Sequence, residues 1–295
     1  MDNIALFEIE DALPTQQVAQ RTIAQERSLS GRGVHFGELV NLRILPAEPN
    51  YGIVFARVDL PGAPEVPATL DSVAEGDLLR RTTLRANGAE VHTVEHLLSA
   101  AYALGVTNLR IELDGSELPF IDGSSLPFAE LLMEAGLKNQ PAEVEVLGTN
   151  EPVAFRHNHA EIVLMPATDF RVTFFFSSEN PLLRTQSASF VITHESYIRE
   201  VAPARTFAFF HEIEALRRQG LIRGGSLASA VVIGRKAILN NELRFPDEPV
   251  RHKILDFIGD LALLGKPVVG HFLAWRSGHS ANAAFARFLR KELCK

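Results

Sequence analysis

The sequence predicts two α+β domains, on three observations. The chain of 295 residues is about twice the length of a ~150-residue domain. Short strand patterns and longer helical stripes occur in both halves. A polar, proline-containing stretch, Lys138-Asn139-Gln140-Pro141, lies near the middle between periodic segments, as a linker would. The expected division is an N-terminal extension over 1–19, a first domain over 20–138 and a second over 143–295.

The elements follow in order. From Thr22 the chain reads as short strands, RTIAQERSLSG, VNLRILPA and GIVFARVDL, separated by the turn Gly31-Arg32-Gly33-Val34-His35 and by Pro46, Pro49 and Gly52. Residues 93–104 read as a helix, with Val94, Leu97, Leu98, Ala101 and Leu104 on one stripe and Gly105 closing it. The strand NLRIELD follows, then a loop over 118–125 and a helix opened by Pro127. The second half begins with strands, including FRVTFFFSS, and continues with helices near 208–219, 249–264 and 281–293.

Composition narrows the function. With 29 basic and 36 acidic residues the net charge is −7, which disfavours broad binding to a nucleic-acid backbone but leaves room for a small anion in a local basic pocket. The single cysteine, Cys294, excludes an internal disulfide and a cysteine-based zinc cluster, and fits a cytoplasmic protein. The first 20 residues lack a basic region followed by an apolar run, so no signal peptide is expected. No run of ~18 apolar residues occurs; even 257–275 is broken by Asp260, Lys266 and His271.

Three helices carry the chemistry. In DEPVRHKILDFIGDLALLG, Pro249 suits a first turn, Asp247 a cap and Gly265 a stop. His252, Asp256 and Asp260 recur every four residues and share one face, so His252 and Asp256 can ligate Zn²⁺ together or form only a polar contact. In VHTVEHLLSA, His92, Glu95 and His96 spell H-x-x-E-H. Either both histidines bind zinc and Glu95 deprotonates its water, or His96 alone does and the His252–Asp256 pair completes the set. In RSGHSANAAFARFLRKELC, Ser280 reads as the helix cap and His279 lies just before it. The helix end lowers the pKa of that histidine, whereas a carboxylate such as Asp260 raises it. Arg276 is suited to a phosphate.

Seven strings in fixed order, RGVHFG at 32–37, HTVEHLLSA at 92–100, LPFIDGSS at 118–125, ARTFAF at 204–209, GLIRGGS at 220–226, LRFPDEPVRHKILDFIGDL at 243–261 and SGHSAN at 277–282, resemble the UDP-3-O-acyl-N-acetylglucosamine deacetylases of lipid A biosynthesis. The resemblance runs from about Gln20 to the end. It implies two domains of similar topology, with helices sandwiched between two β-sheets and an insert in each domain.

The same resemblance implies a zinc site of His96, His252 and Asp256, with Glu95 as general base. It implies that His279, oriented by Asp260, protonates the leaving amine, and that Thr206 bonds the tetrahedral intermediate. Lys253 and Arg276 would meet the diphosphate of the acylated UDP-sugar, and His35 would lie in a loop near the site. An acyl passage is implied within 176–232, around Ile198, Phe207, Phe209 and Leu221. The chain departs from the family at Ser177 and Ser178, where an acid followed by an aromatic is common, and at Ala228 and Ser229, where Asp and Asn are. Residues 1–19 have no counterpart. The expected protein is a monomeric, cytoplasmic enzyme acting on a small molecule. The alternatives are an H-x-x-E-H zinc peptidase and a non-catalytic nucleotide-sugar-binding homologue.

Overall fold

The computed structural model describes residues 16–74, 76, 80–227, 229–239 and 242–294. The first half contains β1 (Gln16–Ile23), β2 (Arg27–Arg32), β3 (Leu39–Pro46), β4 (Ile53–Arg57), β5 (Glu65–Pro67), β6 (Thr83–Ala86), β7 (Ala89–His92), α1 (Glu95–Ala103), β8 (Leu109–Leu113) and α2 (Leu126–Glu134). Then come β9 (Leu137–Val146), β10 (Val153–His157), β11 (Ala160–Met165), β12 (Phe170–Ser177), β13 (Thr185–Val191), α3 (His194–Ser196), β14 (Phe207–Phe209), α4 (Phe210–Arg218), β15 (Val231–Ile233), α5 (Glu248–Leu261), β16 (Gly270–Trp275) and α6 (His279–Leu293).

Alternation of apolar and polar residues sets the strands: Val40, Leu42 and Ile44 of β3 point inward while Leu39, Asn41 and Arg43 point out. One five-stranded sheet runs β2-β3-β8-β4-β5 and the other β10-β11-β16-β12-β13. The correspondence is strand for strand. In each sheet the third and fourth strands are parallel and the other pairs antiparallel. In each half a helix precedes the central strand (α1 before β8, α5 before β16) and a second follows it (α2, α6). The halves differ in what lies before the central helix: the β6–β7 hairpin in the first, the longer α3–β15 segment in the second. One continuous core joins Leu42, Phe55 and Ile111 of the first sheet, through Leu98 of α1 and Ile258 of α5, to Val172, Phe174 and Phe272 of the second. The expected two-fold α+β sandwich is what the chain forms.

Local expectations needed correction. The strand read from 21 breaks at 24–26 into β1 and β2. Residues 16–19, read as extension, belong to β1, whereas 1–15 lie outside the described residues. Residues 138–141 are no linker: they belong to β9, which pairs with β1. The register shifts between Ala19 and Arg21, around Pro141, where an irregular ladder tolerates a residue without an N–H. Lys138 and Asn139 are exposed as expected, whereas Gln140 is half-buried in a polar cluster. Asn108 Nδ2 donates to Gln20 Oε1 (2.8 Å) and to Gln140 Oε1 (2.7 Å), and Gln20 Nε2 donates to Asn50 Oδ1 (2.7 Å).

Helices α1 and α5 cross at very close range. A Cβ built on Gly259 of α5 would lie 2.1 Å from the Glu95 carbonyl oxygen at the start of α1. Gly259→Ala is therefore expected to push α1 off α5, costing about 1–3 kcal/mol as overpacking does. Because the crossing carries residues from both halves of the site described next, the variant should also bind metal at least about tenfold more weakly. Thermal unfolding and a metal titration check this; unchanged metal affinity would show that the crossing does not set the site.

Candidate metal centre and active site

The face of α5 read from the sequence is directed inward: His252, Asp256 and Asp260 are all buried. Pro249 occupies the first turn as expected, but the Asp247 carboxylate makes no capping bond and instead accepts from Arg251 Nε (2.6 Å). Against this face lies the first turn of α1, where Glu95 and His96 are buried. The α1 terminus has no side-chain cap; the Thr82 carbonyl accepts from the amides of Thr93 (3.0 Å) and Val94 (3.4 Å) instead. Gly278 caps α6, which corrects the reading of Ser280 as cap and makes His279 the first helical residue.

His96, His252 and Asp256 each offer one ligand atom, all within 4.8 Å of one another. Asp256 Oδ1 lies 3.3 Å from His252 Nε2 and 3.9 Å from His96 Nε2. His252 Nδ1–H donates to the Ala204 carbonyl (3.1 Å), which leaves Nε2 as the ligand nitrogen. Protonation fits the same role. Burial and the neighbouring His252 pull the His96 imidazole down to about 3, and burial lowers His252 as well. Burial alone would raise Asp256, but His252, Lys253, His279 and His96 hold it below the usual carboxylate range. Two neutral imidazoles and a carboxylate converging in a buried pocket are a donor set for a divalent transition metal. His92 is outside this group; its Nδ1 lies 3.0 Å from Thr83 Oγ1.

Beside this set lie two ionisable groups of opposite disposition. Burial pushes the Glu95 carboxyl up to about 7, with His279 opposing and the charges of Asp256 and Asp260 adding. Burial alone would lower His279, but the charge and hydrogen bond of Asp260, with Asp256 and Glu95, push it up to about 9. His279 Nδ1–H donates to Asp260 Oδ2 at 2.9 Å. An ionisable carboxyl and a protonated imidazole flanking a metal set can take a proton and return one.

These groups open into a cavity of about 490 Å³, ordinary for a small-molecule site. Thr206, Phe207, His35, Lys253 and Arg276 also line it, together with Glu95, His279 and the three ligand candidates; Asp260 lies behind His279 and is not among the lining residues. Two details depart from expectation. The Lys253 ammonium is engaged, donating to Asp256 Oδ2 at 2.5 Å. The apolar wall is formed by Phe207, Leu216, Ile222 and Ala230; of the four expected passage residues only Phe207 lines the cavity, and Ile198 packs against the main core.

Sequence reading missed other residues. The β10–β11 turn, His157-Asn158-His159, lines the cavity, whereas Ser177 and Ser178 do not. Its legible signal was Asn158, which turns the hairpin at φ 53°. The Thr82 N–H donates to Glu95 Oε2 (3.0 Å) and Asn282 Nδ2 to Asp260 Oδ2 (2.8 Å), and Glu117 holds the His35 loop by accepting from the amides of His35 (2.9 Å) and Phe36 (2.9 Å). Arg205 and Glu248, both buried, form an ion pair at 2.8 Å that ties the Thr206 segment to the start of α5. Ala228 lies outside the described residues.

Chain-wide comparisons identify the family. The family model described as UDP-3-O-acyl N-acetylglycosamine deacetylase (LpxC) matches residues 20–291. Three curated proteins named UDP-3-O-acyl-N-acetylglucosamine deacetylase are similar over nearly their whole length. The protein of Myxococcus xanthus is 44% identical over 91% of this chain and 85% of its own. That of Thermodesulfovibrio yellowstonii is 39% identical over 93% of each. That of Chlamydia muridarum is 42% identical over 93% of this chain and 96% of its own. A buried His–His–Asp set, assembled from α1 and α5 inside a match that spans both halves, means that this chain belongs to the UDP-3-O-acyl N-acetylglycosamine deacetylase family.

Proposed function

We propose that this chain is a zinc-dependent amidohydrolase that removes acetate from UDP-3-O-acyl-N-acetylglucosamine in lipid A biosynthesis. The observation that carries the reading is one cavity lined by three buried, convergent ligand residues, a carboxyl raised by burial and an imidazole held protonated. A zinc ion held by His96, His252 and Asp256 would polarise the acetamide carbonyl and make a water more acidic. Glu95 takes the proton of the attacking water as the new C–O bond forms. The hydroxyl of Thr206 and the cation of His279 stabilise the negative charge that gathers on the carbonyl oxygen. His279 then gives its proton to the nitrogen as the C–N bond breaks, so acetate leaves and the sugar retains a free amine. Asp260 keeps the His279 ring oriented and charged. Phe207, Leu216 and Ile222 suit the acyl chain, and Arg276 at the exposed rim suits the diphosphate. Lys253 is a second cation there, fixed by its bond to Asp256. His35 completes the wall.

The two halves of the chain, read as domains over 20–138 and 143–295, each contribute to this site. We read the enzyme as a cytoplasmic monomer without a nucleic-acid partner; among the described residues no helix is long and apolar enough to cross a membrane. The reading as an H-x-x-E-H peptidase has little support, because His92 faces Thr83 rather than the ligands. A non-catalytic homologue has no need of the acid–base pair beside the ligands.

The direct test is acetate release from the acylated UDP-sugar with and without a chelator. Chelator-sensitive release is expected, and its absence would sink the reading. His92→Ala separates the two metalloenzymes. It should keep its zinc and turn over within about threefold of the parent chain, whereas a peptidase of the H-x-x-E-H type would lose its metal.

A further inference from the structure

We propose that Thr82 is a positioning residue that couples the general base to the general acid across the domain interface. It belongs to the loop before β6, is almost fully buried, and makes bonds with all three of its polar groups. Its N–H donates to Glu95 Oε2 at 3.0 Å. Its carbonyl accepts from the amides of Thr93 and Val94, taking the place of a cap on α1. Its hydroxyl donates to Asp260 Oδ1 on α5 at 2.5 Å and lies 3.3 Å from His279 Nδ1. The Asp260 carboxylate is thereby held by three donors: Thr82 on Oδ1, and His279 Nδ1 (2.9 Å) and Asn282 Nδ2 (2.8 Å) on Oδ2. The backbone of Thr82 fixes the base and its side chain fixes the carboxylate that aims the acid. A small displacement of either half would thus be felt at both groups, and misplacement on the ångström scale costs catalysis heavily.

The inference rests on the deacetylase reading for its activity arm alone. Thr82→Val keeps shape and backbone while deleting the hydroxyl, Thr82→Ala deletes it without adding a methyl, and Thr82→Ser keeps it. On the acylated UDP-sugar, the Val and Ala variants should lose about 10- to 100-fold in kcat with KM within about twofold, and Ser should stay within about threefold of the parent chain. The second readout needs no substrate. With one donor fewer, the negative charge of Asp260 is shared with fewer partners and attracts the His279 cation more strongly. The His279 ring, followed by NMR, should therefore titrate at higher pH in Val and Ala than in Ser. Facing that ring are Asp260, Asp256 and Glu95, all present in every variant. An unaltered His279 titration in a folded Val or Ala variant would overturn the coupling, as would equal loss of kcat in Ser and Val. A parent chain without activity but with the predicted NMR difference would sink the deacetylase reading and leave the coupling standing.

Discussion

Glu95→Gln should leave a folded, metal-binding protein whose kcat has fallen by about 10²- to 10⁴-fold, the range for loss of a general base. The substitution is nearly isosteric, and the amide oxygen of Gln can still accept from the Thr82 N–H that now reaches Glu95 Oε2. His96, His252 and Asp256 are untouched, so zinc content should match that of the parent chain. What is lost is a group able to take a proton beside the ligands. KM should change little, because Gln keeps the size and polarity of the side chain that Glu95 presents to the cavity. Steady-state kinetics with zinc content measured on the same samples checks this. A zinc-replete variant that retains kcat within about tenfold would remove Glu95 from the role of base and shift attention to His279.

The parts of this site that were legible in the sequence share a physical property: their signal is local. His252, Asp256 and Asp260 repeat with the period of a helix, and Pro249 marks where that helix starts. Glu95 and His96 are adjacent on a stripe that has an apolar back. Their convergence came from the resemblance, because no periodicity says that α1 crosses α5 at Gly259. Thr82 had no local signal at all. It lies in a run of Arg-Arg-Thr-Thr without periodicity, and the partner of its hydroxyl is 178 positions away. Residues 138–141 were misread for a related reason. Polarity suggests a linker in solvent, but a strand can be polar where it pairs with another, and here 138–141 lie in β9 against β1 with Gln140 bonded to Asn108. That the β10–β11 turn reaches the cavity depends on how the second sheet packs against the helices, which composition does not reveal.

Asp260→Asn is expected to move the alkaline limb of the pH–rate profile downward. The sign follows from what holds the His279 proton. Burial works against the cation, and Asp260, by charge and by hydrogen bond, outweighs it, with Asp256 and Glu95 adding. In the parent chain the ring is protonated up to about 9, so kcat should fall only as pH rises through that region. An Asn keeps the size and can still accept from His279 Nδ1–H, but it carries no charge. The largest opposition to burial is gone, the ring loses its proton at lower pH, and a neutral imidazole has no proton to give the leaving amine. Activity at pH 8 should drop by about 10²-fold or more and recover in part as pH is lowered, whereas His279→Ala should be low at every pH. The same linkage acts on folding. A folded-state pKa above the ordinary value of ~6.5 contributes stability that is complete below ~6.5 and is lost as pH rises through about 9. The parent chain should therefore lose stability relative to Asp260→Asn across that window, read as the difference in Tm between pH 6 and pH 9.5. Equal pH–rate profiles for the two proteins would mean that Asp260 holds the ring in place without holding its proton.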